Sequence, residues 1–253
     1  MKINRLLFFV SCLSLSYEVN AQNLSLGLVA QFDLDGYVLD SSGNGVIATL
    51  PSGVTWTTDH FGNSNGALNF GTGNVGVLGT GINLASSSSS ISLWIEKNYV
   101  GDLFNSSWFL HVGDVGANGQ AMHLATDYGQ SIRYSFWNDD FDINSPILSV
   151  NEWNFLTFTY DNSTSQRQIF VNGNLVAADT AAYGFTGNSN FGFGYANVNL
   201  SDISFYNRVL TPAEVQLAYN LPNPVPEPSS FALAAIGILV MVRANRKSKA
   251  KNT

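Results

Sequence analysis

The 253-residue sequence predicts an all-β protein, two antiparallel sheets packed as a sandwich, with one short helix near the domain end and an apolar helix near the C-terminus. Three observations predict it. Short stretches of alternating apolar and polar residues recur between clusters of Gly, Asn, Ser and Asp, as half-buried strands and their turns require. Asn172-Gly173 stands between two apolar runs, the strongest short hairpin signal, because both central residues must accept positive φ. Helix-start chemistry is persuasive at one place only, Thr211-Pro212-Ala213-Glu214.

The elements follow in chain order. Lys2 and Arg5, the apolar stretch Leu6 to Leu15 and the small-residue site Val19-Asn20-Ala21 read as a secretory signal peptide, residues 1–21, cleaved before Gln22. The sole cysteine, Cys12, lies inside it, and the apolar stretch before it is too short for a lipoprotein signal. The mature chain therefore has no disulfide, thiolate metal site or cysteine nucleophile.

Strand patterning then begins. Phe32 and Leu34 alternate with Gln31, Asp33 and Asp35; Ile91, Leu93 and Ile95 with Ser92, Trp94 and Glu96; Ile132, Tyr134 and Phe136 with Arg133, Ser135 and Trp137. Phe155 to Tyr160 and Gln168 to Val171 continue the pattern. The serine run Ser86 to Ser90 reads as a flexible loop. A capping threonine, proline in the first turn and glutamate three residues after the cap predict a helix from Thr211 to about Tyr219. The domain thus covers 22–220. Pro222, Pro224, Pro226 and Pro228 then alternate, favouring an extended spacer over 221–228.

The apolar run Phe231 to Val242, within a helix over 229–244, covers roughly 18 to 24 Å. A comfortable bilayer span needs about 20 residues, so a temporary tether is the better reading than a permanent anchor. The basic tail 245–253, with Arg243 and Arg246 to Lys251, should stay cytoplasmic and point the domain outward. An ordinary tail anchor with a proline linker is the alternative.

Charge excludes one class of partner. The chain carries 11 Lys+Arg and 18 Asp+Glu. Seven of the basic residues sit in the two targeting ends, however, so residues 22–228 hold four basic and 17 acidic residues, a formal −13. Such a surface repels phosphate backbones, which rules out nucleic acid for the folded part. Divalent cations and neutral sugars remain compatible.

Two resemblances now follow from quoted residues. Pro226-Glu227-Pro228, the apolar helix and the basic residues Arg243, Arg246 and Lys247 resemble the PEP-CTERM sorting signal of exported bacterial proteins. That resemblance implies an exosortase-type membrane protease as partner, tethering at the inner membrane before processing, and then the cell surface or extracellular matrix. Leu34-Asp35-Gly36, Asp40 to Gly45, Phe61 to Phe70, Ile91 to Ile95, Glu152 to Phe155, Tyr160-Asp161, Ile169 to Leu175 and Asp202 to Leu210 resemble, in order, the concanavalin A-like, laminin-G-like jelly-roll family. It implies a two-sheet antiparallel jelly roll.

The same resemblance implies one structural calcium, which takes six to eight oxygen ligands. Motif position names Asp202 as the late carboxylate, Asp35 as a first-strand ligand and the loop around Asn44 as carbonyl donor. Alternatively, Asp40 to Gly45 is a turn whose side chains bond its own backbone. For sugar binding, exposed aromatics beside amides and carboxylates are expected. Trp137, Asn138 and Asp139 are the leading candidates, with Trp108, Tyr128 and Tyr183 behind. Trp137 has opposite parity to Ile132, Tyr134 and Phe136 and should face outward. Trp94 and Trp153 are assigned to the core.

Related β-glucanases need two carboxylates about 5 to 5.5 Å apart, placed on one strand as Glu-x-Asp-x-Glu. Glu96, Glu152, Glu214 and Glu227 are scattered, no Gly-x-Ser-x-Gly elbow occurs, and His60, His111 and His123 lack metal-pair spacing. The sequence therefore favours a non-catalytic, surface-exposed carbohydrate-binding or adhesion module recognising a polysaccharide or glycoconjugate. A structural or protein-binding matrix component without a sugar site is the alternative, ahead of a glycoside hydrolase.

Overall fold

The computed structural model describes residues 24–71, 76–98, 107–127, 131–143 and 148–221. In chain order the strands are β1 (Leu28–Phe32), β2 (Ile47–Thr49), β3 (Thr55–Thr57), β4 (Ala67–Asn69), β5 (Gly76–Thr80), β6 (Ser89–Lys97), β7 (Ser107–Val112) and β8 (Met122–Asp127). There follow β9 (Ser131–Phe136), β10 (Asp139–Ile143), β11 (Trp153–Asp161), β12 (Gln166–Val171), β13 (Asn174–Thr180), β14 (Asn190–Gly194), β15 (Val198–Tyr206) and helix α1 (Pro212–Tyr219). An eight-stranded sheet runs β13-β12-β11-β6-β15-β4-β3, with β1 also paired to β15; a seven-stranded sheet runs β10-β9-β8-β7-β14-β5-β2. The pairings within both sheets are antiparallel.

Side-chain alternation builds the core. Ile91, Leu93 and Ile95 of β6, Leu156 and Phe158 of β11, and Ile132, Tyr134 and Phe136 of β9 all turn between the sheets and are buried. Phe32 meets Phe191 and Phe193 of the facing sheet at 5.7 and 5.6 Å. Each such ring removed from water contributes roughly 1.5–3 kcal/mol. The expected hairpin joins β12 to β13, with Asn172 at φ 50° and Gly173 at φ 81°, the positive pair a type I′ turn demands.

Arg167 is the exception inside this apolar layer. Its parity on β12 aims it inward, and its side chain is 1 % exposed. There its guanidinium makes a two-pronged contact with Asp179, at 2.9 and 2.6 Å, and reaches Asp139 at 3.2 Å. Nη1 donates to the carbonyls of Tyr134 and Asp139 on the opposite sheet, and the rings of Tyr134, Phe136 and Phe141 surround the charge. One side chain thus ties β12 and β13 to β9 and β10.

α1 starts as expected. Glu214 N–H donates to Thr211 Oγ1 at 3.3 Å and Thr211 N–H donates to Glu214 Oε2 at 2.8 Å, a reciprocal capping box. Val215 is buried against Leu24, Phe170, Tyr206 and Leu210. Thr211→Ala is expected to lower stability by about 1 kcal/mol, measured by urea denaturation. A shift within error would show that the Arg208–Glu214 ion pair holds this turn alone.

Two expectations are corrected. Ser89 and Ser90 open β6 rather than lying in a flexible loop, and Ser90 Oγ donates to Arg208 O at 2.8 Å while accepting from Leu210 N–H at 2.9 Å. A serine whose hydroxyl is satisfied on both sides packs in a strand without cost. Trp94 is not in the core: on β6 it alternates with Leu93 and Ile95 and lies half-buried on the outer face, stacked on His60 at 3.9 Å beside Phe155 and Tyr219. Trp153 is likewise half-buried. The compact unit ends at Asn220. The signal peptide, the spacer with Pro226, Glu227 and Pro228, the 229–244 helix and the basic tail lie outside the described residues. Among the described residues no helix is long and apolar enough to cross a membrane.

Candidate functional site

The outer face of the seven-stranded sheet carries a row of rings placed by a backbone irregularity. In β7, Leu110 pairs with Leu124 but Trp108 pairs with Ala125, so Phe109 is an extra residue. Strict alternation from His111 outward would turn Trp108 into the core. The bulge instead buries both Phe109 and Leu110 and returns Trp108 to the outer face. There Trp108 stacks on His123 at 3.9 Å with planes 12° apart. Trp137, in the two-residue turn between β9 and β10, meets the other side of His123 edge-on at 5.9 Å. Trp137 N–H donates to Ala121 O, and Trp137 O accepts from Gly119 N–H, which fixes the turn.

His123 is 5 % exposed. Burial pushes its pKa down to about 4, with His111 adding to the fall, so the ring is neutral at neutral pH. The unfolded chain binds a proton near pH 6.5 and the folded chain near 4, so the contribution is complete above 6.5 and lost as pH falls through 4. The share of the loss of stability due to His123 across that window is about 3 kcal/mol at most. His123→Gln should reduce the pH dependence of the urea midpoint there, leaving the part due to the buried His60 and His111; an unchanged slope would show that His123 is not held neutral.

The remaining sequence candidates separate. Asn138 sits exposed at the turn apex with φ 64°, its amide donating to Asn118 Oδ1 at 2.8 Å. Asp139 does not face the outer surface: one carboxylate oxygen takes Arg167 and the other accepts from the N–H groups of Ala182 and Tyr183. Its neighbours Asp140 and Asp142 point outward and bind Arg133 at 3.0 and 2.7 Å. Tyr183 is 40 % exposed, and Tyr128 lies outside the described residues. Alternation alone located Trp137. It missed Trp108's route to the surface and His123's place between the rings, because a bulge leaves no mark in a hydrophobic pattern.

A second half of this face lies over β2, β5, β14 and β7, where a cleft of about 480 Å³ is lined by Ile47, Leu78, His111, Asp114 and Asn190. Cross-strand register places His111 opposite His123, so cleft and ring row adjoin.

The residues named for calcium fall in two places. Asp202, at φ 50°, occupies a bulge in β15, where the strand's outer partner changes from β4 to β1. It lies near Asp33, Asp35 and Asp59. Burial pushes its carboxyl up to about 8 and those three carboxylates add to the rise, although water reaching the 40 % of its side chain that is exposed moderates it. His60 Nδ1 stands 3.5 Å from Asp202 Oδ2. Asn44, by contrast, donates to the carbonyls of Leu28 and Val29 at the start of β1. Asp40 closes that loop by accepting from Gln31, Ser42 and Val46 N–H groups. The oxygen chemistry at Asp35 and Asp202 suits a hard cation, but Asn44 does not join it. No group of three or more His, Cys, Asp or Glu among the described residues is arranged to hold a metal.

A raised carboxyl pKa costs stability as pH rises through it. Asp202→Asn is therefore expected to melt higher than the parent at pH 8. If added calcium stabilises the parent and not this variant, a cation does bind at the bulge and the crowding account is wrong.

A family model described as the concanavalin A-like lectin/glucanases superfamily matches residues 70–216. The chain belongs to that superfamily. A second model, the PEP-CTERM protein-sorting motif, matches residues 224–247, so a superfamily domain is followed by an export-sorting tail. Among solved structures the superfamily domain resembles the binding domain of Paraclostridial mosquitocidal protein 1, with TM-score 0.64, 18 % identity, and 77 % of this chain and 52 % of that one covered. It also resembles the botulinum neurotoxin type G receptor binding domain, at TM-score 0.62 and 18 % identity over 76 % of this chain and 51 % of that one. The botulinum neurotoxin serotype D binding domain is similar at 0.60 and 17 %, over 76 % and 51 %. This chain spans about half the length of those structures, and at such identity the likeness is one of fold. No curated protein matches the chain.

Proposed function

We propose that this protein is an exported, non-catalytic glycan-binding module, carried to the envelope by its 224–247 tail and processed there by an exosortase-type protease. The observation that carries the reading is the ring row Trp108–His123–Trp137 on the outer sheet face. An aromatic face covers the apolar side of a sugar while neighbouring polar groups read its hydroxyls, the usual division of labour in small-ligand sites. Here Asn118 and Asn138 at the turn and the Arg133–Asp140–Asp142 group along β9 and β10 supply those polar groups. The superfamily membership and the sorting motif support the setting.

Glycan-array profiling of the protein is the direct test. Binding to one class of polysaccharide fragments is expected. Retention of partner proteins only, with no glycan bound, would instead establish a structural matrix component, and turnover of a polysaccharide would establish a hydrolase.

A further inference from the structure

The cleft beside the ring row has a donor and acceptor set of its own. His111 lies flat on β14 because residue 192 is glycine, where a Cβ would stand 2.5 Å from the imidazole Cε1. Its Nδ1 is buried over that backbone without a hydrogen-bond partner, so Nε2 is the nitrogen that a molecule in the cleft can meet. Burial lowers the His111 pKa, and the ring is a neutral hydrogen-bonding group. Asn188 and Asn190 both donate to Asp114 Oδ2, leaving Oδ1 without a bond among the described residues. Those two amides hold the Asp114 carboxyl below its ordinary range, keeping it charged. Ile47 and Leu78, 69 % and 53 % exposed, form aliphatic walls.

The cleft therefore pairs a fixed anion and a neutral imidazole with two apolar walls, on a domain (residues 22–220) that holds 16 acidic and four basic residues, a formal −12. Its complement is a sugar with a cationic substituent. We infer that this cleft takes an amino-sugar unit with a free ammonium group, seated on Asp114, within a linear polysaccharide whose other units lie on Trp108 and Trp137. The inference rests on the glycan-binding reading and names its substrate class. β14 and β9 are three strand spacings apart, about 14–15 Å, so one short oligosaccharide reaches both halves of the face.

The test is calorimetric titration of the protein with β-linked hexamers of glucosamine, N-acetylglucosamine and glucose, at low and physiological ionic strength. The glucosamine hexamer should bind at least about tenfold more tightly than the acetylated one, the value of a charge-assisted hydrogen bond, with the gap narrowing as salt rises. Asp114→Asn should abolish the gap while keeping the parent melting temperature. Equal binding of free and acetylated forms by the parent, or a gap that survives Asp114→Asn, overturns the assignment and leaves the glycan-binding reading intact. Binding of none of the three, together with an empty glycan array, removes both.

Discussion

Arg167→Ala is expected to destabilise the fold by about 3–5 kcal/mol, the cost of removing one partner from a buried ion pair. Truncation leaves the carboxylates of Asp139 and Asp179 facing an apolar gap that was filled by a guanidinium between three rings. It also strips hydrogen bonds from the carbonyls of Tyr134 and Asp139. Arg167→Lys should recover little of this, since an ammonium is a point charge and cannot span Asp179 two-pronged while reaching the opposite sheet. Urea denaturation of parent and variants gives the comparison. A loss below about 1 kcal/mol at unchanged slope, in the range of an exposed pair, would mean that water and not the core surrounds this group.

The second large effect concerns binding. Trp137→Ala and Trp108→Ala should each weaken the glycan found by array profiling by about 30-fold, near 2 kcal/mol, the scale of a buried aromatic anchor. The two differ in their effect on His123. Trp108 covers its face and Trp137 only its edge, so Trp108→Ala should also raise the His123 pKa toward 6.5 as water enters, while Trp137→Ala should raise it less. Both are read by titration of the imidazole resonances. Full affinity in the double variant, with the fold intact, would rule out this face as the binding surface.

Much of the scaffold was legible in the sequence because it depends on local rules. Alternation located the strands, the Asn172-Gly173 pair located a hairpin and Thr211 to Glu214 located the helix. Even Trp94 was readable, since its parity opposes Leu93 and Ile95; motif likeness pointed inward and alternation pointed outward, and alternation prevails. The site was less legible. Trp108 reaches the surface through a bulge at Phe109, and Asp139 looks like a loop carboxylate until Arg167, 28 residues later, turns out to point inward at it. A lone arginine on a strand gives no local sign that its partners lie on the facing sheet. Motif position names the loop around Asn44 as a carbonyl donor, but no motif announces that the Asn44 amide itself donates to the carbonyls of Leu28 and Val29.

The fastening between the two layers at Arg167 is ionic, and residues 22–220 contain no cysteine. Reducing agents and thiol-exchange enzymes thus have nothing to act on, and the module can mature in an oxygen-poor environment as readily as in an aerated one.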